Sequence, residues 1–103
     1  MTPRRITDSA TVVVAGELLH SAFGAETVIL SLKDGVYYGL EDVGARIWDL
    51  LQRPITVAAI REALVAEYDV EPNRCGHDLR ALLGDLAARG LIEVTERGDD
   101  GVA

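Results

Sequence analysis

Few residues in this chain have side chains that could carry out covalent chemistry. Its 103 residues hold one cysteine, Cys75, and two histidines, His20 and His77. A thiol and an imidazole two positions apart first suggest a cysteine nucleophile activated by a neighbouring base. On a helix, however, side chains meet at spacings of three and four, so Cys75 and His77 point in different directions. No third group beside them orients the imidazole. The fitting description is a small apolar Cys, an exposed His and no enzyme. A single Cys also excludes an intramolecular disulfide and any Cys-rich metal site. No cofactor or metal is expected. The glycines at 24, 35, 39 and 44 do not form a phosphate-binding loop after a strand, and Asp99-Asp100 reads as a solvated pair in a tail.

The elements that position these residues belong to one domain, large enough for a core without staples. Nearly half the residues, 49%, are hydrophobic, but only 5% are aromatic, so the core must be built mainly from Leu, Val, Ile and Ala. The net charge is −7. It is +1 over residues 1–10, then −2, −3 and −3 over 11–40, 41–70 and 71–103. With no basic stripe to neutralise phosphates, nucleic acid is a poor ligand. No apolar run approaches the roughly 18 residues of a membrane span. One Cys and no signal peptide place the expected location in a reducing cytosol.

Hydrophobic periodicity switches from 2 to 3.6 near Leu40. Residues 1–11 read as a loose arm, and Val12–Val14 as a short strand or a core segment. Glu17–Phe23 is a weaker strand, Glu26–Leu32 the strongest, and Val36–Leu40 returns antiparallel through a tight Asp34-Gly35 turn. Three strands in this order make a meander. Helix one follows from about Asp42 to Leu51, with Val43, Ile47, Leu50 and Leu51 on one stripe and Arg53-Pro54 as its stop.

Thr56 caps helix two, with Ile55 and Ile60 as a hydrophobic staple. Its face is Val57, Ile60, Leu64 and Tyr68, and Asp69-Val70-Glu71 is the turn that follows. Helix three begins near Pro72 and runs to about Arg89, with Cys75, Leu79, Leu82, Leu83 and Leu86 as its apolar stripe. Gly90 and Leu91 suit a Schellman ending. Leu91–Val94 suggests a brief strand, and 96–103 a frayed tail. The domain proper is then 12–95, an α+β fold with a winged helix-turn-helix-like order: a three-stranded antiparallel sheet followed by three helices.

A winged helix invites DNA binding. From Glu71 to Arg89, helix three carries three acidic and three basic residues, zero net charge on an acidic domain. An extended peptide is the better ligand. It can add a strand to the Val36–Leu40 edge, with side-chain pockets toward helix three giving specificity. Successive strand residues point to opposite faces, so only one of Tyr37 and Tyr38 need line such a groove.

The stretches Thr27-Val-Ile-Leu-Ser-Leu-Lys-Asp-Gly-Val-Tyr-Tyr-Gly-Leu, Val43-Gly-Ala-Arg-Ile-Trp-Asp-Leu-Leu and Glu67-Tyr-Asp-Val-Glu-Pro through Leu91 resemble stand-alone PqqD-like proteins, the precursor recognition elements of ribosomal peptide (RiPP) pathways. The sub-type is similar to the leader-binding half of a split lasso-peptide B protein. The resemblance covers about residues 17–95. It implies a non-catalytic domain that binds a precursor's leader antiparallel to the third strand, in the cleft beside the third helix. The domain then delivers the leader to a cysteine-protease half, with an ATP-dependent cyclase acting next.

Carried onto this chain, the site is Val36, Tyr37, Tyr38, Gly39 and Leu40 with Cys75, Asp78, Leu79, Leu82, Leu83, Asp85 and Leu86. Tyr37, Leu79, Leu82, Leu83 and Leu86 are candidates for an apolar floor, some of them core only. Asp78 and Asp85 would face Lys or Arg of the leader. Glu41 stands where such proteins often carry Asn, which makes Asp42 the expected cap of helix one. Gly76 and Gly84 interrupt helix three. The same resemblance admits a PqqD-like carrier for a radical SAM enzyme. The fold alone admits a DNA-binding regulator.

Overall fold

A computed structural model describes residues 6–96. Nine elements follow in chain order: β1 (Thr11–Val14), β2 (Leu18–Phe23), β3 (Glu26–Ser31), β4 (Tyr37–Glu41), α1 (Val43–Leu50), β5 (Ile55–Thr56), α2 (Val57–Tyr68), α3 (Pro72–Ala88) and β6 (Ile92–Thr95). The α+β reading holds, as does the order of a three-stranded antiparallel meander followed by three helices. The meander is β2-β3-β4, with β3 in the middle.

The segments expected as short strands near Val12–Val14 and Leu91–Val94 overlap β1 and β6, but their pairing with each other and with β5 in a second sheet, β5-β1-β6, was not legible in the sequence. Its strands are two to four residues long and pair across the whole chain, Val12 with Val94 and Val12 with Ile55. Such short segments show no period of their own, and only tertiary pairing makes them strands.

Residues 6–10, the described part of the stretch expected as a loose arm, pack onto the domain. Ile6 and Ala10 are buried, and the Val57 N–H donates to the Ala10 carbonyl at 3.1 Å. Thr7 bonds to Glu96 through its N–H at 3.3 Å and its hydroxyl at 2.9 Å. Asp8 meets Arg61 at 2.7 Å and Arg80 at 3.2 Å, and the Arg61 guanidinium holds its carboxyl below the usual range. Residues 1–5 of that arm and the tail after Glu96, with Asp99-Asp100, lie outside the described residues.

The helix ends follow their residues. The Thr56 hydroxyl accepts from the Ala59 N–H at 3.1 Å. The Glu71 carboxylate accepts from the Asn73 and Arg74 N–H groups at 3.0 and 2.8 Å, ahead of Pro72 at the first helical position. At the far end of α3 the Gly90 N–H donates to the Ala87 carbonyl and the Leu91 N–H to the Leu86 carbonyl, both at 3.0 Å. Gly90 has φ 75. This is the Schellman pattern, and the glycine is needed for its left-handed residue. Asp42 differs from expectation. It holds the cap position of α1 with φ 47, but its side chain accepts no capping bond.

One core joins both sheets to the helices: Val12, Ile29, Ile47, Trp48, Leu51, Val57, Ile60, Leu64, Leu79, Leu83, Leu86 and Leu91 are all buried. Trp48 is 2% exposed. Its indole N–H donates to His20 Nδ1 at 2.7 Å, which ties α1 to β2. His20 thus serves as an acceptor in its Nε2-protonated tautomer.

Candidate peptide-binding cleft

Among the described residues β4 pairs with β3 and with no other strand, so one of its edges is open there. The chain enters β4 through a loop over residues 32–36, longer than the expected two-residue turn. The Ser31 N–H donates to the Val36 carbonyl at 2.9 Å, and Val36 therefore closes the loop instead of opening the strand. At the other end the Asp42 N–H donates to the Ala25 carbonyl at 2.9 Å. Backbone direction alternates along an antiparallel strand. Val36, Tyr38, Leu40 and Asp42 turn their N–H and C=O groups toward β3. Tyr37, Gly39 and Glu41 leave theirs on the open side, ready for an added strand.

The side chains split as sharply. Tyr38 and Leu40 are half-buried and pack against the core, while Tyr37, Gly39 and Glu41 are exposed. Tyr37, at 68% exposure, does not line the floor expected of it. It sits on the outer face of the sheet with Leu19, Phe23, Val28 and Leu30. Tyr38 is the tyrosine on the helix side. The Arg89 guanidinium lies 5.7 Å from its ring centroid, a cation–π contact.

β4 packs against β3 and α1, and not closely against α3. An apolar cavity of about 350 Å³ starts where α1 leaves β4 and is lined by helix and turn residues, none of them from β4. Helix α1 lines it with Val43, Gly44 and Ile47, α2 with Leu64 and Tyr68, the turn with Val70, and α3 with Arg74, Cys75, Asp78, Leu79 and Leu82. A Cβ on Gly44 would meet Leu40 at 3.6 Å, an ordinary contact, so the corner from β4 into α1 is close without being jammed.

Of the α3 residues expected at the site, Cys75, Asp78, Leu79 and Leu82 reach this cavity. Leu83 and Leu86 do not. They are 0% and 4% exposed and belong to the core. Leu79 is 2% exposed and serves both. Asp85 is exposed and pairs with Arg89 at 3.6 Å, beside Tyr38 rather than in the cavity. Asp78 pairs with Arg74 at 3.4 Å.

The cavity residues that sequence reasoning left out are Val43, Gly44, Ile47, Leu64, Tyr68, Val70 and Arg74. The signal available was the apolar stripe of helices one and two, whose ends converge here. A second depression, of about 760 Å³, lies between residues 6–8 and His77, Arg80, Ala81 and Gly84 of α3. It is shallow and rimmed by the Asp8–Arg80 pair.

Cys75 cannot work with His77. The thiol is buried, the imidazole is exposed, and burial pushes the thiol pKa up, which keeps the thiolate scarce. Among the described residues no group of three His, Cys, Asp or Glu side chains could hold a metal. No helix there is long and apolar enough to cross a membrane.

Known proteins share the sequence and fold of this chain. Residues 26–92, from β3 to the start of β6, match the family model described as coenzyme PQQ synthesis protein D (PqqD). No curated relative matches. Three solved structures do. "TbiB1 in Complex with the TbiA(beta) Leader Peptide" is 36% identical, with TM-score 0.75, over 79% of this chain and 94% of that one. "Lasso peptide synthetase B1 complexed with the leader peptide" is 26% identical, with TM-score 0.71, over 80% and 96%. The solution structure of the PqqD truncation of Methylobacterium extorquens PqqCD, titled a stand-alone RiPP recognition element, is 21% identical, with TM-score 0.74, over 90% and 99%, a likeness of fold. The model match spans more than half of the chain and the first structure 79% of it at 36% identity, and on that footing the chain belongs to the PqqD family.

Proposed function

We propose that this domain binds the leader of a ribosomal precursor peptide as a strand added to β4 and presents it to a partner leader peptidase for lasso-peptide maturation. The observation that carries the reading is an open β4 edge beside an apolar cavity, in a chain similar to two proteins solved with leader peptides. Tyr37, Gly39 and Glu41 supply six backbone groups. At about 0.5–1.5 kcal/mol net per hydrogen bond, they offset little more than the roughly 2–5 kcal/mol needed to order a disordered segment.

Selectivity therefore falls to an apolar anchor of the leader in the cavity, where full burial of one large side chain contributes about 1.5–3 kcal/mol. The domain itself is non-catalytic, works in the cytoplasm and has no role for nucleic acid. The family model's description names coenzyme PQQ synthesis, and with it goes one second reading, a peptide carrier for a radical SAM enzyme. The neighbouring genes separate the two: a protease and an asparagine-synthetase-like cyclase, or a radical SAM enzyme.

Calorimetry with the leader of the precursor encoded beside this gene is the test. Binding at about 10 μM or tighter, near 7 kcal/mol, is expected. A folded protein with no heat of binding at about 100 μM leader would remove that precursor as the ligand. Asp78→Arg probes the polar wall of the cavity. Asp78 is exposed and already paired with Arg74, so its loss should weaken a basic leader by at most about fivefold, with the melting temperature unchanged. An unaltered affinity assigns Asp78 no role in binding.

A further inference from the structure

Among the described residues the opposite edge of the β2-β3-β4 sheet is also open. β2 reads Leu-Leu-His-Ser-Ala-Phe, six residues with no carboxylate, Lys, Arg or Pro. It has none of the charges or prolines that usually protect an edge strand. All but Leu18 are exposed, Leu19 at 56% and Phe23 at 62%.

The Leu32 N–H donates to the Glu17 carbonyl at 3.1 Å. Alternation then turns the backbone of Leu19, Ser21 and Phe23 toward β3 and leaves the N–H and C=O groups of Leu18, His20 and Ala22 on the open side. On the outer face the register lines up Leu19, Leu30 and Tyr37 in one apolar row across three strands.

We propose that β2 pairs antiparallel with β2 of a second copy of this chain, about a twofold axis through Ser21. Only an axis on a residue keeps outer face with outer face. Centred on Ser21, it sets His20 opposite Ala22 of the second copy, so that their free backbone groups bond. Leu19 then stands opposite Phe23 of the second copy, in the closely spaced pairing where side chains touch. That Phe extends the Leu19–Leu30–Tyr37 row to a fourth strand, and symmetry repeats the row. Centring on His20 instead would stack two histidines and leave both Phe23 side chains unpartnered.

The flanking carboxylates do not oppose each other: Glu17 faces Ala25, and Glu26 faces Gly16. The result is a six-stranded sheet with a β4 edge free at each end, so the pairing does not depend on the function proposed for β4 and does not compete with it. A contact of this size falls in the small, transient class below about 1,200 Å².

Sedimentation of the full chain should show mass rising from monomer toward dimer between about 0.05 and 1 mM. Added salt should strengthen the dimer, because each copy carries −7 and salt screens that repulsion. Ser21→Lys puts like charges on the axis and should weaken the dimer at least about fivefold while the exposed site keeps the fold intact. Ser21→Cys should cross-link on mild oxidation. Ala22→Cys, which faces His20, should not, and Cys75 is buried in both. A monomer throughout that range, a dimer indifferent to Ser21→Lys, or equal cross-linking at positions 21 and 22 would each overturn the proposal.

Discussion

Gly39→Pro is expected to lower leader affinity by about 10- to 100-fold, roughly 1.4–2.7 kcal/mol, with the domain still folded. The reasoning starts from the β4 ladder. The Gly39 N–H points to the open side, so a proline there breaks no bond to β3, and proline is tolerated on an edge strand whose N–H faces solvent. The same ring removes one donor from an incoming strand and stands where its backbone must approach. Gly39→Ala is the matched control. A Cβ at this position meets nothing within 4 Å, and the N–H is kept. Alanine should hold affinity within about threefold and add up to about 0.5–1 kcal/mol of stability by lowering backbone entropy in the unfolded chain. Titration of both variants against the leader, with circular dichroism as the folding check, separates strand addition from any other mode of binding. Equal affinities for the two variants would place the leader elsewhere.

Trp48→Ala is expected to carry the largest stability cost in the chain, about 3–5 kcal/mol. A domain of this size has roughly 5–15 kcal/mol in total, so the melting temperature should fall by about 12 °C or more. Trp48 is the only tryptophan among five aromatic residues, counted as one Phe, three Tyr and one Trp, and it is almost completely buried. No neighbour of comparable size can fill the space it leaves. It also holds β2 through the bond to His20 Nδ1.

Trp48→Phe separates packing from polarity. It keeps most of the ring volume and loses the N–H, for an expected cost nearer 1–2 kcal/mol. His20→Ala should cost about 1 kcal/mol, because the indole N–H loses its acceptor at a site only partly closed to water. Urea melts of the three variants test the split. If Trp48→Phe cost as much as Trp48→Ala, the hydrogen bond and not the packing would dominate.

Local chemistry made several features legible in advance. Thr56, Pro72 and Gly90-Leu91 are end signals that act through their own backbone neighbours, and each lies at the boundary it marks. The stripe of α3 was also visible, but its division was not. Cys75, Leu79, Leu82, Leu83 and Leu86 share one helical period, and nothing in that period separates the residue facing a cavity from the residue facing the core. Leu82 reaches the cavity and Leu83 is closed off because α1 and α2 end where they do. Tyr37 and Tyr38 pose the same problem in a strand. Alternation required one of them to face outward without saying which.

What the sequence by itself determined is the set of local decisions: where period 2 gives way to period 3.6, where helices start and stop, and the acidic balance that disfavours nucleic acid. Turn residues, caps and charges are short-range, so they act in the chain as written. Tertiary structure alone decided three matters. It built the β5-β1-β6 sheet from segments 78 to 84 residues apart in β1 and β6. It chose Tyr38 over Tyr37 for the helix side, because Tyr38 shares the buried face of the sheet with Ile29. It gathered residues of three helices and of the turn after α2 around one cavity near the β4–α1 corner. Each depends on which surfaces meet once the chain is packed, and burial of a face is a property of its neighbours in space.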